Sequence, residues 1–242
     1  MLTAEAVVGK IVVFICEKTM LKLVQLPFDK RKKACRSLTK LYYSVQRLDD
    51  VTEAIFRTMD AFRRHSDAFA VINSLNNHMH EVALATNMFI DLGYELQAGL
   101  EIIDPVLAQC CNLLYIGKFD FLTYMSNSIE WERTGAKAKI VAKIPQGRAE
   151  SIDMDDMYER TLVALGSGEK FYWPESAFDE FKEDIQSFSL NWEDDEAARQ
   201  FMVMLSRQRE SLSTARDRLR ELLKSSFSIE EILFQTDSQP YR

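Results

Sequence analysis

Apolar side chains recur at helical spacing along most of the chain, beginning with residues 3–26. The middle of this segment is apolar almost all round, which predicts a helix at the centre of a bundle. Its β-branched run is also compatible with a buried strand, and periodicity alone does not separate the two. We favour the helix because few other segments look like partner strands. Pro27 should end it, and Asp29 should cap a second helix over residues 30–48.

A third helix is predicted to begin at Asp50, which forms a start resembling a capping box with Glu53. Apolar positions then recur over residues 51–90, but the second half of this stripe is rotated about 110° from the first. A straight helix cannot turn both halves towards one neighbour. We therefore expect a bend or a change of packing partner near 66–70, and Gly93 should end the helix.

The second half of the chain contains further helix signals. Pro105 suits the first turn of a helix over 105–115. A helix over 151–165 carries its acidic residues near the start, where the helix dipole favours them, and the glycines of 166–168 should end it. Residues 172–185 predict another helix. A capping box formed by Ser228 and Glu231 predicts a short final one.

The clearest pattern lies in residues 193–224, where two sets of mainly apolar positions recur every seven residues. Together they form a coiled-coil-like seam through about four heptads. Such a seam usually packs along another helix of a bundle, and a dimeric coiled coil is the alternative. In the dimer, the partner-binding seam would consist of Phe201, Leu205, Leu212, Leu219 and Leu222.

These elements predict an all-α fold, a multi-helix bundle with a long C-terminal coiled-coil-like helix. Eight glycines and five prolines are few for an all-β protein with many tight turns. We divide the chain into an N-terminal helical bundle over 1–132, a basic linker or exposed loop over 133–150, and a helical region over 151–242 that packs on the bundle.

The segment 133–148 carries five basic side chains and no acid, although the formal net charge of the chain is -7. A flexible linker or exposed loop is the interpretation we favour, because glycine and proline bound the segment. A docking segment for an acidic partner is second, through Lys137, Lys139, Lys143 and Arg148. A strand or hairpin is the third interpretation, since the lysines alternate only partly with apolar residues.

A second basic zone follows the apolar first helix. It is either the solvated exit turn of that helix or a docking surface for an acidic partner or an anionic membrane. Acidic segments alternate with the two basic zones along the chain. Oppositely charged segments that pack side by side would explain this alternation. The zone contains Lys30, Arg31, Lys32, Lys33 and Arg36.

Reactive chemistry is sparse. Phosphate-binding, dinucleotide-binding, nucleophile-elbow and H-E-x-x-H patterns are absent. His78 and His80 would point about 200° apart on a helix, and zinc needs more ligands than these. We therefore predict no metal, no cofactor and no catalytic site. Asn73, Asn77 and His80 instead share a polar, mostly uncharged face with Asn76, Asn87 and Asp91, which is either solvated surface or a hydrogen-bonding contact.

The location predicted is the cytoplasm. The four cysteines form no C-x-x-C pair, which fits a reduced compartment. The apolar run at 11–16 is much shorter than the roughly 20 residues of a spanning helix. The N-terminus also lacks the basic start of a secretory signal.

The function that these features favour is non-enzymatic. We expect an interaction protein or regulatory subunit that binds a protein partner. If two copies paired through the C-terminal seam, the protein would be a homodimer. The first alternative is a membrane-acting effector whose apolar N-terminal helix leaves the bundle and inserts, guided by the adjacent basic cluster. The second is a nucleic-acid-binding accessory protein, which is weaker because both basic zones lie in an acidic chain.

Overall fold

The computed structural model describes residues 7–23, 25–65, 68–101, 104, 130–134, 137–145, 153–167, 185–190 and 195–233. These ranges contain helices and three short strands. In chain order, the elements are α1 (Val7–Leu23), α2 (Phe28–His65), α3 (Ala68–Leu100), β1 (Glu130–Thr134), β2 (Lys137–Pro145), α4 (Met154–Ser167), β3 (Ile185–Leu190), α5 (Asp195–Ser226) and α6 (Ile229–Leu233).

Helix α2 is the centre of the bundle, because it packs against α3 on one side and α5 on the other. Its buried side chains recur in two sets spaced seven residues apart, so one continuous stripe faces the core. Thr52 is the one polar member, and its hydroxyl donates to the carbonyl of Leu48 at 2.7 Å. The stripe consists of Ala34, Leu38, Leu41, Val45, Leu48, Thr52, Ile55 and Met59.

Helix α5 runs antiparallel to α2 and buries its own heptad seam against α2 and α1. Arg216 pairs with Asp49, and Arg209 pairs with Glu53 at 3.0 Å, so residue numbers rise along one helix as they fall along the other. The long C-terminal helix predicted from sequence is confirmed. The seam side chains lie in the core of this chain, which corrects their interpretation as a partner-binding surface: Phe201, Leu205, Leu212, Leu219 and Leu222.

The first apolar segment is a helix, as predicted, and packs along α5. Its middle is buried on several sides, with Ile11, Val12 and Ile15 at 2% exposure or less. Thr19 is also buried and donates its hydroxyl hydrogen to the carbonyl of Ile15, so this polar side chain is satisfied within the helix.

Two predicted helix boundaries are wrong. No new helix starts at Asp50, because the heptad stripe of α2 continues past it without a break. Gly93 does not end α3, which continues to Leu100, a buried residue. The change of packing near 66–70 is confirmed, since α2 ends at His65 and α3 begins at Ala68.

Residues 137–145 form a strand, which corrects their interpretation as a linker or exposed loop. Strand β2 pairs antiparallel with β1, placing Glu130 opposite Val141, and with β3, placing Ile140 opposite Leu190. The third interpretation, a strand or hairpin, therefore applies to these residues. The partner β3 lies far away in sequence, so no local pattern indicated the pairing.

The helical bundle is confirmed, and the sheet is an addition to it that touches α5 through β3. The all-α description therefore holds for the bundle and not for the three strands. The predicted helix over 105–115 lies outside the described residues. So do residues 172–184 of the helix predicted over 172–185, and its last residue, Ile185, belongs to β3. Because α5 packs between α1 and α2, the C-terminal region shares one core with the N-terminal helices.

Gly9 allows α1 to approach α5 closely. A Cβ atom at this position would lie 2.6 Å from Ser211 Oγ and 3.0 Å from the Ser211 carbonyl oxygen. The hydroxyl could rotate away, but the carbonyl belongs to the backbone of a packed helix. The space between α1 and α5 is therefore too small for any larger residue.

We predict that Gly9→Ala lowers the free energy of unfolding. The added methyl group forces the two helices apart, which costs about 1–3 kcal/mol, and the higher helix propensity of alanine returns about 1 kcal/mol, so the measured loss is the difference between these two terms. Urea unfolding followed by circular dichroism measures it.

Gly166→Ala is the matched control, because nothing lies within 4 Å of a Cβ placed there. This variant should be neutral or slightly more stable. Equal stability of the two variants would show that α1 and α5 are not closely packed at Gly9.

Candidate interaction surface

Arg31 fixes the C-terminal helix α6 to the start of α2. Its Nε donates to Glu231 Oε1 at 3.1 Å, and a terminal nitrogen donates to the Ser226 carbonyl. The guanidinium also lies over the ring of Phe227, 5.5 Å from its centre. This bonding corrects the assignment of Arg31 to a docking surface, because the side chain is engaged within the chain.

The capping box predicted at the start of α6 is confirmed. The Ser228 backbone N–H donates to Glu231 Oε2 at 2.8 Å, and the Glu231 N–H donates to Ser228 Oγ at 3.2 Å. The hydrogen bond from the Ser228 backbone, with the charge of Arg31 nearby, holds the pKa of Glu231 below its ordinary value. Folding therefore favours the ionised carboxylate.

The other members of this basic zone are exposed. Lys30, Lys32, Lys33 and Arg36 project into solvent from the first turns of α2. They lie on several sides of the helix, since consecutive positions are separated by about 100°. Lys30, Lys32 and Lys33 thus form surface charge at the start of α2, whereas Arg36 is exposed but takes part in an interaction within the chain.

Three large apolar side chains are exposed at the same end of the bundle. Phe28 is 65% exposed, Ile229 is 74% exposed and Leu233 is 64% exposed. Phe28 begins α2, and α6 packs against that part of α2 through Arg31. Exposed apolar groups bordered by charge mark interaction sites in soluble proteins. We name Phe28, Lys30, Lys32, Lys33, Ile229 and Leu233 the basic–apolar end; Glu230 is an exposed acid beside it.

Basic residues elsewhere in the first 48 positions pair with acids from later segments. Lys18 contacts Asp155 at 2.6 Å, and Arg47 contacts Glu81 at 2.6 Å. These pairs fit the expectation that oppositely charged segments lie side by side. Lys30, Lys32 and Lys33 of the basic–apolar end are instead exposed to solvent.

A polar cluster joins α4 and Asp104 to α1. The carboxylate of Asp104 is buried, and it accepts from Lys22 Nζ and, at 2.7 Å, from the Tyr158 hydroxyl. Tyr158 also stacks edge-on against Phe14, with ring centres 6.0 Å apart. Burial and the bond to Asp104 raise the pKa of Tyr158. The cluster therefore links three parts of the chain.

A second polar cluster joins α3 to α2. His78 Nε2 lies 3.2 Å from Thr58 Oγ1 and 3.1 Å from Ser74 Oγ. Burial lowers the pKa of His78, so the imidazole is held neutral. His78 therefore connects the two helices, whereas His80 lies exposed on the opposite side of α3.

The mostly uncharged polar stripe predicted on α3 faces outward. We name the exposed side chains of this stripe the amide face, and they span residues 73–87. The opposite side of α3 is buried through residues such as Met79, Val82 and Ala85. The amide face comprises Asn73, Asn76, Asn77, His80, Leu84 and Asn87.

The structure describes only part of the basic segment 133–148. Lys137, Lys139 and Lys143 belong to strand β2, and Arg148 lies outside the described residues. The docking role predicted for this segment stays a prediction.

In the part of the chain that the structure describes, histidine, cysteine and acidic side chains do not gather in any group of three or more that could hold a metal ion. Within the same ranges, none of the helices combines the length and hydropathy needed to cross a bilayer.

Comparisons with protein-family models, with curated proteins and with solved structures found no match to this chain. Its function must therefore be argued from its own surfaces.

Sequence reasoning found the lysines of the basic–apolar end but missed its apolar members. Ile229 and Leu233 are four residues apart on α6, a spacing that places them on one side of a helix. The sequence therefore indicated that Ile229 and Leu233 share one side of α6. Nothing local indicated that this side would face solvent while Ile232 packs against the core.

We predict that Glu231→Gln destabilises the protein by about 1 kcal/mol at neutral pH, because it weakens the capping box and the pair with Arg31. A lowered pKa in the folded state means that this stabilisation is present above the ordinary value of 4.5 and is lost as the pH falls through the folded pKa. The difference from the natural chain should therefore shrink below pH 4.5, in urea unfolding curves measured across pH.

Glu221→Gln is the control, because Glu221 is an exposed acid of α5 that pairs with Arg218 at 3.3 Å. Its effect should stay within about 0.5 kcal/mol. A difference for Glu231→Gln that is independent of pH would contradict the assigned role of the carboxylate.

Proposed function

We propose that this chain is a non-enzymatic helical interaction protein that binds an acidic protein partner through the basic–apolar end. The partner presents an apolar helix face bordered by glutamate or aspartate. Phe28, Ile229 and Leu233 contact the apolar face, and Lys30 and Lys33, which share one side of α2, lie near its carboxylates.

One observation carries this proposal: strongly exposed apolar side chains and exposed lysines occupy the same end of an acidic chain. Exposed lysines alone would be ordinary solvated charge, and isolated exposed apolar residues are common. Their combination supplies both terms of association. Apolar burial gives affinity, and charge complementarity gives orientation and faster encounter.

Rigid support at this end also favours a binding role. Arg31 and the capping box hold α6 in place, so Ile229 and Leu233 are presented on an ordered element. A surface that is already ordered loses less conformational entropy when a partner binds.

The membrane-acting alternative takes a different form on this fold. Release of α1 would expose Ile11, Val12 and Ile15, which are buried against the bundle. Each such side chain is worth about 1.5–3 kcal/mol of burial. Contact of the basic–apolar end with an anionic bilayer surface needs no such release, and we treat it as an alternative outcome of the test.

Binding can be measured with a fluorescently labelled amphipathic helical peptide that carries leucine on one face and glutamate on the other. We expect saturable binding that weakens as salt is raised. Charge reversal by Lys30→Glu and Lys33→Glu together should weaken it about tenfold or more, equivalent to about 1.4 kcal/mol. Phe28→Ser should weaken it independently of salt.

Arg220→Glu with Lys224→Glu is the matched control, because both residues are exposed on α5 and the charge change is the same. Val203→Ser is the control for Phe28→Ser, since Val203 is an exposed apolar residue of α5. Circular dichroism confirms that each variant is folded. Equal losses in the test and control variants would overturn the proposal.

Two further probes separate the alternatives. Vesicles of phosphatidylcholine with phosphatidylserine test the bilayer surface, and a labelled DNA duplex tests the nucleic-acid alternative. Binding of either probe with no binding of the peptide would replace the acidic protein partner by that ligand.

A further inference from the structure

We infer that α6 is a strap across the start of α2, which opens as a unit at Ser228 and uncovers the thiol of Cys35. The closed position is the one that the structure shows, and the open position is a minor population in equilibrium with it. The existence of the strap does not depend on the proposed function. Only its consequence for partner binding rests on that function.

Helix α6 is short and lies at the surface. It has five residues, and none of them is buried. Ile229 and Leu233 are largely exposed, and Ile232 packs partly against the core. A helix of this length is not stable by itself in water, so its position depends on the contacts that it makes with α2. Elements with few buried apolar contacts open at a lower free energy than the core beside them.

One guanidinium holds the strap closed. Arg31 Nε donates to Glu231 Oε1 at 3.1 Å on α6, and a terminal nitrogen of Arg31 donates to the Ser226 carbonyl at the end of α5. The side chain of Arg31 is 29% exposed, so water can reach this pair. Bonds to water replace part of it when the strap opens, and its net contribution to closure is therefore modest.

The strap leaves the core at Ser228. The residue before it, Phe227, is 6% exposed, and its N–H donates to the Leu223 carbonyl at 3.1 Å, so it continues the packing of α5. Ser228 is exposed and begins α6 through the capping box with Glu231. Because that box lies within residues 228–231, it moves with the strap. Rotation at Ser228 therefore frees α6 and leaves Phe227 in place.

Cys35 lies beneath the strap. Its side chain is buried, and Sγ donates to the carbonyl oxygen of Glu231 at 3.8 Å. Burial raises the pKa of the Cys35 thiol to about 11. The thiolate is the reactive form, so the thiol should be nearly unreactive while the strap is closed. Outward movement of α6 removes atoms that cover Sγ, and the reactivity of Cys35 therefore measures opening.

Alkylation of the full chain by N-ethylmaleimide, followed by peptide mass spectrometry, gives the reaction rate at each cysteine. Cys16 is the internal reference, because it is 3% exposed within α1 and burial raises its pKa to about 12. We expect Cys35 to react about tenfold faster or more. Its rate should change little in low urea, since opening α6 exposes little surface, whereas the rate at Cys16 should rise steeply. Equal rates with equal urea dependence would overturn the inference, because global unfolding would then uncover both thiols.

Glu231→Gln should raise the rate at Cys35 about fivefold, because it weakens one hydrogen-bonded ion pair that holds the strap. Glu230→Gln is the matched control, since it removes the same charge from the neighbouring exposed position of α6. It should leave the rate at Cys35 unchanged. Circular dichroism confirms that both variants are folded. Equal acceleration by the two variants would contradict closure by Arg31 and Glu231.

Opening also takes Ile229 and Leu233 away from the rest of the basic–apolar end. A partner bound there should therefore hold the strap closed. A saturating concentration of the acidic helical peptide should slow alkylation of Cys35 several-fold, and Lys30→Glu with Lys33→Glu should remove this protection. Peptide that binds without slowing the reaction would overturn this consequence. Peptide that does not bind would overturn the proposed function, while the rates measured without peptide still test the strap.

Discussion

The antiparallel packing of α5 against α2 is the contact on which the rest of the fold depends. Both helices carry apolar positions seven residues apart, and the two stripes bury each other over most of their lengths. Helix α1 packs on the outside of this pair along α5, and α3 packs on the other side along α2. The pairs of Asp49 with Arg216 and of Glu53 with Arg209 align the two helices.

Charge has two roles in this arrangement. Within the bundle, acids and bases from distant segments meet, as Lys22 meets Asp104 and Arg31 meets Glu231. The first pair joins Asp104 to α1, and the second joins α6 to α2. At the surface, the lysines near Phe28 are opposite in sign to the net charge of the chain. The basic–apolar end is where we place function.

The candidate surfaces were partly predictable from sequence. The run at 30–36 indicated surface charge, and the helical spacing of Asn73, Asn77 and His80 indicated a common polar face. Arg31 could not be separated from its lysine neighbours, because its acid, Glu231, lies at the far end of the chain. The apolar members Phe28, Ile229 and Leu233 resembled core residues, since a local pattern shows which side chains share a face and not what covers that face.

Local spacing and neighbouring residues predicted the described helices, the seam of α5, the capping box of α6 and an interruption near residue 66. Contacts between distant segments set which faces are covered. They buried the seam within the chain, carried α2 past Asp50 and α3 past Gly93, and paired 137–145 with a strand near 190. Each of these outcomes depends on contacts between distant segments, whose free energy no local pattern contains.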